Sequence, residues 1–411
     1  MKKNILALVL AASMAFSMAG CAKKEEPAPA SSASESVTVA SSPAEEVVVA
    51  ASSTPEEPEP EALVAEPAEE TGPTNPLTGE PVETDISANR PYAIMLNSLK
   101  QALPQSGNSK ADMWFEMVEE GGITRVMGIY QDINDVGTIG PIRSTRHYFL
   151  EMAIGMDAIV CHAGGASSAF DLLNWTHYTT LNALKNAGGM YYRDKGRLSA
   201  GYALEHTMYT SSENIQNWLS QNPDFRTEHE GGSSYEQTYQ FADQATPETN
   251  AIDANELSVN FSDYKTTKFV YDPETQKYNV FFFGEPYVDA GAENQQVAAT
   301  NVVVIKSEET TVMQDGAREW YDLVNGGTGY YISNGKCEEI DWTKGEAIYP
   351  LTLLNKDGTP LKMNRGKTYF CVCDVDRSIT VDGTNINTDS TAPAVDGSTD
   401  TSGGATESSE W

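Results

Sequence analysis

Met113-Trp114-Phe115-Glu116-Met117-Val118, Glu119-Glu120-Gly121-Gly122-Ile123 and Thr124-Arg125-Val126-Met127-Gly128-Ile129-Tyr130 follow one another without interruption. Two β-rich runs joined by a turn with paired glycines read as a hairpin. Upstream, Tyr92–Leu96 is a short buried strand, followed by a polar loop over Asn97–Lys110 that contains Pro104 and Gly107. Downstream, Gly140-Pro141 breaks the chain before a helix predicted over Ser144–Ile154. Ala158–His162 is a continuous apolar strand ending in Ala163-Gly164-Gly165, and Ser167 starts a second helix toward Asn174. Thr210 with Glu213 three residues later forms a capping-box pattern that opens a helix through Leu219.

The pattern changes after the polar segment Asp243–Asn255. From Leu257 to Cys373 nearly every apolar run is strand-like. Thr267–Tyr271 and Tyr278–Phe283 flank Asp272-Pro273-Glu274-Thr275; Tyr330–Ile332 and Cys337–Ile340 flank Asn334-Gly335, which suits a type I′ turn. Val302–Ile305 and Thr368–Cys373 complete a set that suggests a small sandwich or barrel. Helices and strands without regular alternation in 73–245, then strands over 256–380, place the chain in the α+β class.

The flanks have other compositions. Residues 1–20 hold the basic pair Lys2 and Lys3, an apolar run from Ile5 to about Phe16, and small residues before Cys21. This is a secretory signal peptide, too short to stand as a spanning helix. Its end directly before a cysteine resembles the lipobox of bacterial lipoproteins, which implies acylation of Cys21, for example by palmitate, and anchoring to the bilayer on the extracytoplasmic face of the cell membrane. Residues 21–72, rich in Ala, Ser, Pro, Glu and Val, cannot bury enough apolar area to offset their ordering entropy and read as a disordered acidic tether. The tail 381–411 reads the same way.

The formal charge of the 411-residue chain is −32. Lys2 and Lys3 contribute +2, twelve Glu against two Lys in 22–72 contribute −10 and the tail contributes −6, which leaves −18 on 73–380. Nucleic-acid affinity comes mainly from Lys and Arg neutralising phosphates, so a nucleic-acid partner is not expected. Cys161, Cys337, Cys371 and Cys373 are expected as buried thiols, with Cys337–Cys371 or Cys337–Cys373 as the disulfide to test. The five His are scattered and no close ligand pairs recur, so neither a metal nor a cofactor is expected.

Two polar arrangements stand out. His162-Ala163-Gly164-Gly165 leads from a strand into a helix start, a geometry that presents backbone N–H groups to an anion; the alternative is a tight turn with a structural histidine. Arg143 and Arg146 are three residues apart and would share a face once helical. In so acidic a chain they need an anionic ligand or salt bridges to Asp112, Glu116, Glu119 or Glu120. Glu119 and Glu120 read as a solvated hairpin tip. The chain lacks a Gly-x-Ser-x-Gly elbow, a P-loop, a His-Glu-x-x-His helix and a dinucleotide fingerprint.

Ordered matches then carry a resemblance. Asn75-Pro76-Leu77-Thr78-Gly79, Arg90-Pro91-Tyr92-Ala93-Ile94-Met95-Leu96-Asn97, Pro104-Gln105-Ser106-Gly107, Glu120-Gly121-Gly122-Ile123-Thr124-Arg125, Gly140-Pro141-Ile142-Arg143-Ser144 and His162-Ala163-Gly164-Gly165 resemble the N-terminal domain of the YerB-like lipoproteins, DUF3048. Asp315-Gly316-Ala317-Arg318, Gly326-Gly327-Thr328-Gly329-Tyr330, Trp342 and Gly366-Lys367-Thr368 resemble its C-terminal domain. The resemblance implies an N-terminal layered α/β sandwich domain and a mainly β C-terminal domain, and brings no established activity. The chain departs from it at Leu204-Glu205-His206-Thr207, where the family has Pro before the His and Asn after it, and has extra residues after Arg193-Asp194.

From these residues the chain is expected to be an extracytoplasmic binding lipoprotein. Its polar pocket would be lined by Asn97, Gln105, Ser106, Glu116, Arg125, Arg143, Arg146, His162, Gly164, Gly165 and His206, and its guest would be a small anionic ligand or a cell-envelope glycan fragment. The alternative is a hydrolase acting on an envelope polymer, with His162 or Glu116 as acid/base. A third reading is a structural partner of another envelope protein.

Overall fold

The computed structural model describes residues 72–247, 251–312 and 318–390. The expected signal peptide, Cys21, the expected tether before Gly72 and the tail beyond Ser390 lie outside the described residues; the first part of the expected disordered tail, 381–390, is instead folded onto the body, with Asn387 buried and its Oδ1 accepting from Lys306 Nζ at 3.1 Å. In chain order the elements used below are β1 (Tyr92–Leu96), β2 (Met113–Val118), β3 (Thr124–Tyr130), α1 (His147–Gly155), β4 (Ile159–His162), α2 (Ser167–Thr176), β5 (Leu181–Asn182), β6 (Tyr192–Arg193), α3 (Lys195–Ser199), β7 (Met208–Ser211) and α4 (Ser212–Gln221). They continue with β8 (Ile252–Asp253), β9 (Glu256–Asn260), β10 (Thr266–Asp272), β11 (Lys277–Phe282), β12 (Asn301–Ser307), β13 (Glu309–Val312), β14 (Arg318–Tyr321), β15 (Gly327–Ser333), β16 (Lys336–Thr343), β17 (Thr352–Leu354), β18 (Thr368–Asp374) and β19 (Ile379–Val381). The architecture is α+β and mainly β, as the sequence pattern implies.

The expected hairpin is the centre of a mixed eleven-stranded sheet. β2 and β3 pair antiparallel in register Met117↔Arg125 and Phe115↔Met127. The sheet runs β8-β16-β15-β12-β18-β2-β3-β1-β4-β5, with β17 beside β16. Strands from both sides of Asp243–Asn255 therefore lie in one sheet. β18 enters it between β2 and β12, parallel to both, and stacks Phe370 on Phe115 at 4.5 Å. β2 is buried along its whole length, and an apolar strand of that kind cannot be left as an edge. A second sheet, β11-β10-β9-β19, packs its alternate residues Phe269, Val280, Leu257 and Val259 into the same core.

Three local expectations change. α1 begins at His147, because Arg143–Thr145 stay extended: Ala163 N donates to Arg143 O at 2.9 Å and Thr145 N to Gly164 O at 3.1 Å. The helix before Leu219 is capped by Ser211, whose hydroxyl accepts from Asn214 N, whereas Thr210 donates to Met190 O. No disulfide forms among the described cysteines. Cys337 lies opposite Ile332, which lies opposite Val302, which lies beside Tyr369, so three strand spacings separate it from the strand of Cys371 and Cys373. At about 4.8 Å per spacing the gap is about twice what a disulfide spans. The Asn334-Gly335 turn has φ of 51° and 70°, as a type I′ turn requires.

Candidate functional site

The residues singled out by sequence fall into four groups. Glu116, on β2, is wholly buried. Its Oε1 accepts from Thr124 Oγ1 at 2.6 Å, and its Oε2 from Thr267 Oγ1 and Tyr369 OH, each at 2.8 Å. Lys265 Nζ stands 3.8 Å from Oε1 and 3.3 Å from the Phe282 ring centroid. Strands from both halves of the chain thus close on this carboxylate, and none of its acceptor positions faces solvent.

His162, at the end of β4, is equally enclosed. Its Nδ1 is 2.6 Å from Gly164 O and its Nε2 is 2.8 Å from Thr180 Oγ1. Burial outweighs the Gly164 hydrogen bond and lowers its pKa to about 4, so the imidazole is neutral at physiological pH. Gly164 adopts φ +79°, and a Cβ there would meet Leu184 Cδ1 at 3.2 Å. Gly165 pairs with Thr145 in an isolated parallel bridge.

A third group joins the two halves. Gln105 Nε2 donates to Asn97 O at 2.8 Å, and its Oε1 accepts from Tyr287 OH. Ser106 and Gly140 exchange both backbone hydrogen bonds. Buried Asp289, which sequence reasoning did not single out, accepts from Gly107 N, Ser109 N, Ser109 Oγ and Gly291 N. The Pro104–Gly107 loop is accordingly held by the segment 287–291.

The fourth group is the arginine cluster. Glu119 and Glu120 leave the hairpin tip but do not point into solvent: Glu119 is 1 % exposed. Arg125 Nε binds Glu119, and Arg125 Nη1 donates to Ser144 O. Arg146 grips Glu120 with two hydrogen bonds, Nε to Oε1 at 2.8 Å and Nη2 to Oε2 at 2.6 Å, while Nη2 is 3.3 Å from Glu119. Burial resists ionisation of Glu120, but the Arg146 fork prevails and carries the carboxyl down to about 2. Burial raises the pKa of Glu119 despite the field of Arg125, Arg146 and Arg143.

Arg143 lies in the extended segment beside this cluster, its N donating to Met95 O at 3.0 Å. Arg193 on β6 stands near it: burial first, then the like charge of Arg143, lowers the Arg193 pKa. Arg193 donates to Leu204 O, and His206 Nδ1 is 2.9 Å from Asn97 Nδ2. Asn97, Arg143, Gly164, Arg193 and His206 are therefore gathered at the β1-β4-β5 end of the sheet, whereas Glu116 and Gln105 are not part of that surface. Arg193 was missed because a lone arginine in a polar loop carries no spacing signal; its nearness to the family departure at 204–207 was the available clue.

At the opposite end of the sheet is an open cavity of about 880 Å³, with Ile252, Tyr330, Glu338, Glu339, Pro360 and Lys362 among its lining residues. None of the expected ligand-binding residues borders it. Among the described residues no group of three or more His, Cys, Asp or Glu could hold a metal ion.

Comparison with known proteins places this arrangement. Residues 77–226 match the family described as protein of unknown function (DUF3048) N-terminal domain, and residues 257–370 match its C-terminal domain. The chain belongs to the YerB-like DUF3048 family. It is 30% identical over 300 residues to the Bacillus subtilis (strain 168) protein named "Putative lipoprotein YerB", a match spanning 72% of this chain and 84% of that one. It is similar in fold to the crystal structure of the YerB protein from Bacillus subtilis, with a TM-score of 0.64 and 27% identity, covering 75% of this chain and 99% of that one. Both halves of the DUF3048 pattern contribute strands to the one large sheet, and the segment between Arg193 and His206, where the chain departs from the family pattern, borders the arginine cluster. No helix among the described residues is long and apolar enough to cross a membrane.

Proposed function

We propose that this DUF3048 protein is a lipoprotein held on the extracytoplasmic face of a cell membrane through acylated Cys21, and that its body binds a small anionic ligand or a cell-envelope component at the arginine end of the sheet. The observation that carries this reading is the placement of Arg193 beside Arg143, since Arg193 pairs with Met208 and Met208 O accepts from Ile142 N; Glu205 opposes this charge in part, and the neighbouring cluster already holds Arg125 and Arg146. Two neighbouring guanidiniums are costly in isolation and favourable around a shared anion. Ser144 and Gly164 border the same surface, and buried Asn97 and His206 support it from beneath through the contact of Asn97 Nδ2 with His206 Nδ1 at 2.9 Å.

The hydrolase alternative has less support. His162 and Glu116, its acid/base candidates, are both wholly buried with their polar atoms committed to the fold. A general acid or base must reach the reacting atom directly or through one water.

A thermal-shift panel of inorganic phosphate, sugar phosphates, nucleotides and muropeptides tests the binding reading. A ligand at a hundredfold excess over its Kd stabilises by about 2.7 kcal/mol. A shift seen with wild type and lost in Arg143→Gln supports the reading. No shift with any phosphate or muropeptide overturns it. Clearing of peptidoglycan by zymography would favour the hydrolase instead.

A further inference from the structure

Residues 184–204 combine features that, apart from Arg193, the anion site does not use. They carry Lys185, Arg193, Lys195 and Arg197 against Asp194 alone, a net charge of +3 in a folded body whose total is −18. Leu184, Tyr192, Leu198 and Leu204 in the same stretch are 49%, 38%, 41% and 50% exposed. They are linked in space through the arginine end of the sheet. Leu184 lies against Gly164, whose loop bonds to Arg143; Arg193, beside Arg143, donates to the backbone of Leu204. Asp194 caps α3 by accepting from Arg197 N, and Leu198 and Lys195 project from that short helix. Arg197 is anchored on Ala102 O and Pro104 O, which fixes α3 to the body.

Exposed leucines cost solvation free energy unless something covers them, and basic residues interleaved with leucine and tyrosine suit one environment in particular. Apolar side chains enter the headgroup boundary of a bilayer while Lys and Arg meet anionic headgroups, and tyrosine suits the interface itself. A membrane is also the surface to which an acylated Cys21 would tie the chain. We infer that residues 184–204 form a docking surface for an anionic lipid bilayer, which turns the arginine end of the sheet toward the membrane. The inference adds an orientation to the binding reading and stands on the 184–204 surface, not on the identity of the small ligand.

The test is hydrogen exchange of the full acylated chain reconstituted in phosphatidylglycerol vesicles and in phosphatidylcholine vesicles. Amides of 184–204 should exchange more slowly on phosphatidylglycerol only. Each basic residue near an anionic surface contributes about fivefold to partitioning. Lys185→Gln with Lys195→Gln should therefore weaken the unacylated Cys21→Ser chain's preference for phosphatidylglycerol vesicles about 25-fold. Leu184→Asp with Leu198→Asp should reduce binding to both vesicle types, and unchanged melting temperatures would show that the variants fold. Soluble glycerol phosphate at the same headgroup concentration should give no protection of 184–204. Equal protection on both vesicle types, no protection on either, or full protection by glycerol phosphate overturns the inference. Phosphate binding retained in the Lys185→Gln, Lys195→Gln variant separates this result from the fate of the Arg143 site.

Discussion

Glu116 and Glu119 stand three residues apart on one hairpin, yet different chemistry holds them. Three hydroxyls from β3, β10 and β18, with Lys265 nearby, surround Glu116; guanidiniums from β3 and from the Arg146 turn surround Glu119. The first environment is closed by strands on every side. The second continues from Glu119 to Arg143, whose charge acts on it, and on to Arg193. A carboxylate enclosed by three hydroxyls and one buried ammonium serves the fold and leaves nothing to offer, whereas one embedded among arginines sits at the edge of a field that can extend to a ligand. The polar residues that a sequence reading groups together thus divide between the enclosed core and the proposed site.

The largest expected effect is on the closed side. Glu116→Ala leaves Lys265 in a site with no carboxylate and should cost about 3–5 kcal/mol, measured by urea unfolding. A loss under 1 kcal/mol would mean that the pocket admits water, and the contrast would fail.

His162 comes next. Its folded pKa of about 4 lies below the unfolded value near 6.5, so the unfolded state binds more protons between those limits. Stability contributed by the neutral ring is fully present above pH 6.5 and is lost as pH falls toward 4, on the order of 3 kcal/mol in total. His162→Gln should remove that part of the slope, which unfolding at pH 7.5 and pH 4.5 would reveal. An identical slope in both proteins would place His162 in contact with water.

On the arginine side Glu120 gives a smaller effect that runs in the same direction with pH but at more acid values. Its carboxyl, held near 2, stabilises the fold above the ordinary carboxylate range, and this contribution fades as pH falls through 4.5 toward 2. Glu120→Gln should cost about 1–2 kcal/mol at pH 7 after allowance for its partial exposure. It should also free Arg146 and strengthen phosphate binding. Weaker phosphate binding in this variant would contradict the assignment of excess positive charge to this end. Smallest of all, exposed Lys195→Gln should alter stability by less than about 0.5 kcal/mol.

Local patterns made the hairpin, the Asn334-Gly335 turn and most strands legible. The entry of β18 between β2 and β12 was not, because parallel pairing across some 250 residues has no local signature and requires only a buried strand on each side. The extended course of Ser144 and Thr145 escaped for a related reason: it is set by hydrogen bonds to the Gly164 loop, which helix propensity does not report. In the candidate site, Arg143 and Arg146 were visible as clustered cations in an acidic chain. Burial of Glu119 was not visible, since a Glu-Glu-Gly-Gly turn normally faces water.

Calorimetric titration of wild type, Arg143→Gln and His162→Gln with sugar phosphates and muropeptides at pH 7 tests the division most directly. The account predicts saturable, salt-sensitive binding of at least one of these anions by wild type, weakened roughly tenfold or more in Arg143→Gln and retained in His162→Gln. No binding by wild type, or binding that survives Arg143→Gln and disappears in His162→Gln, would contradict it.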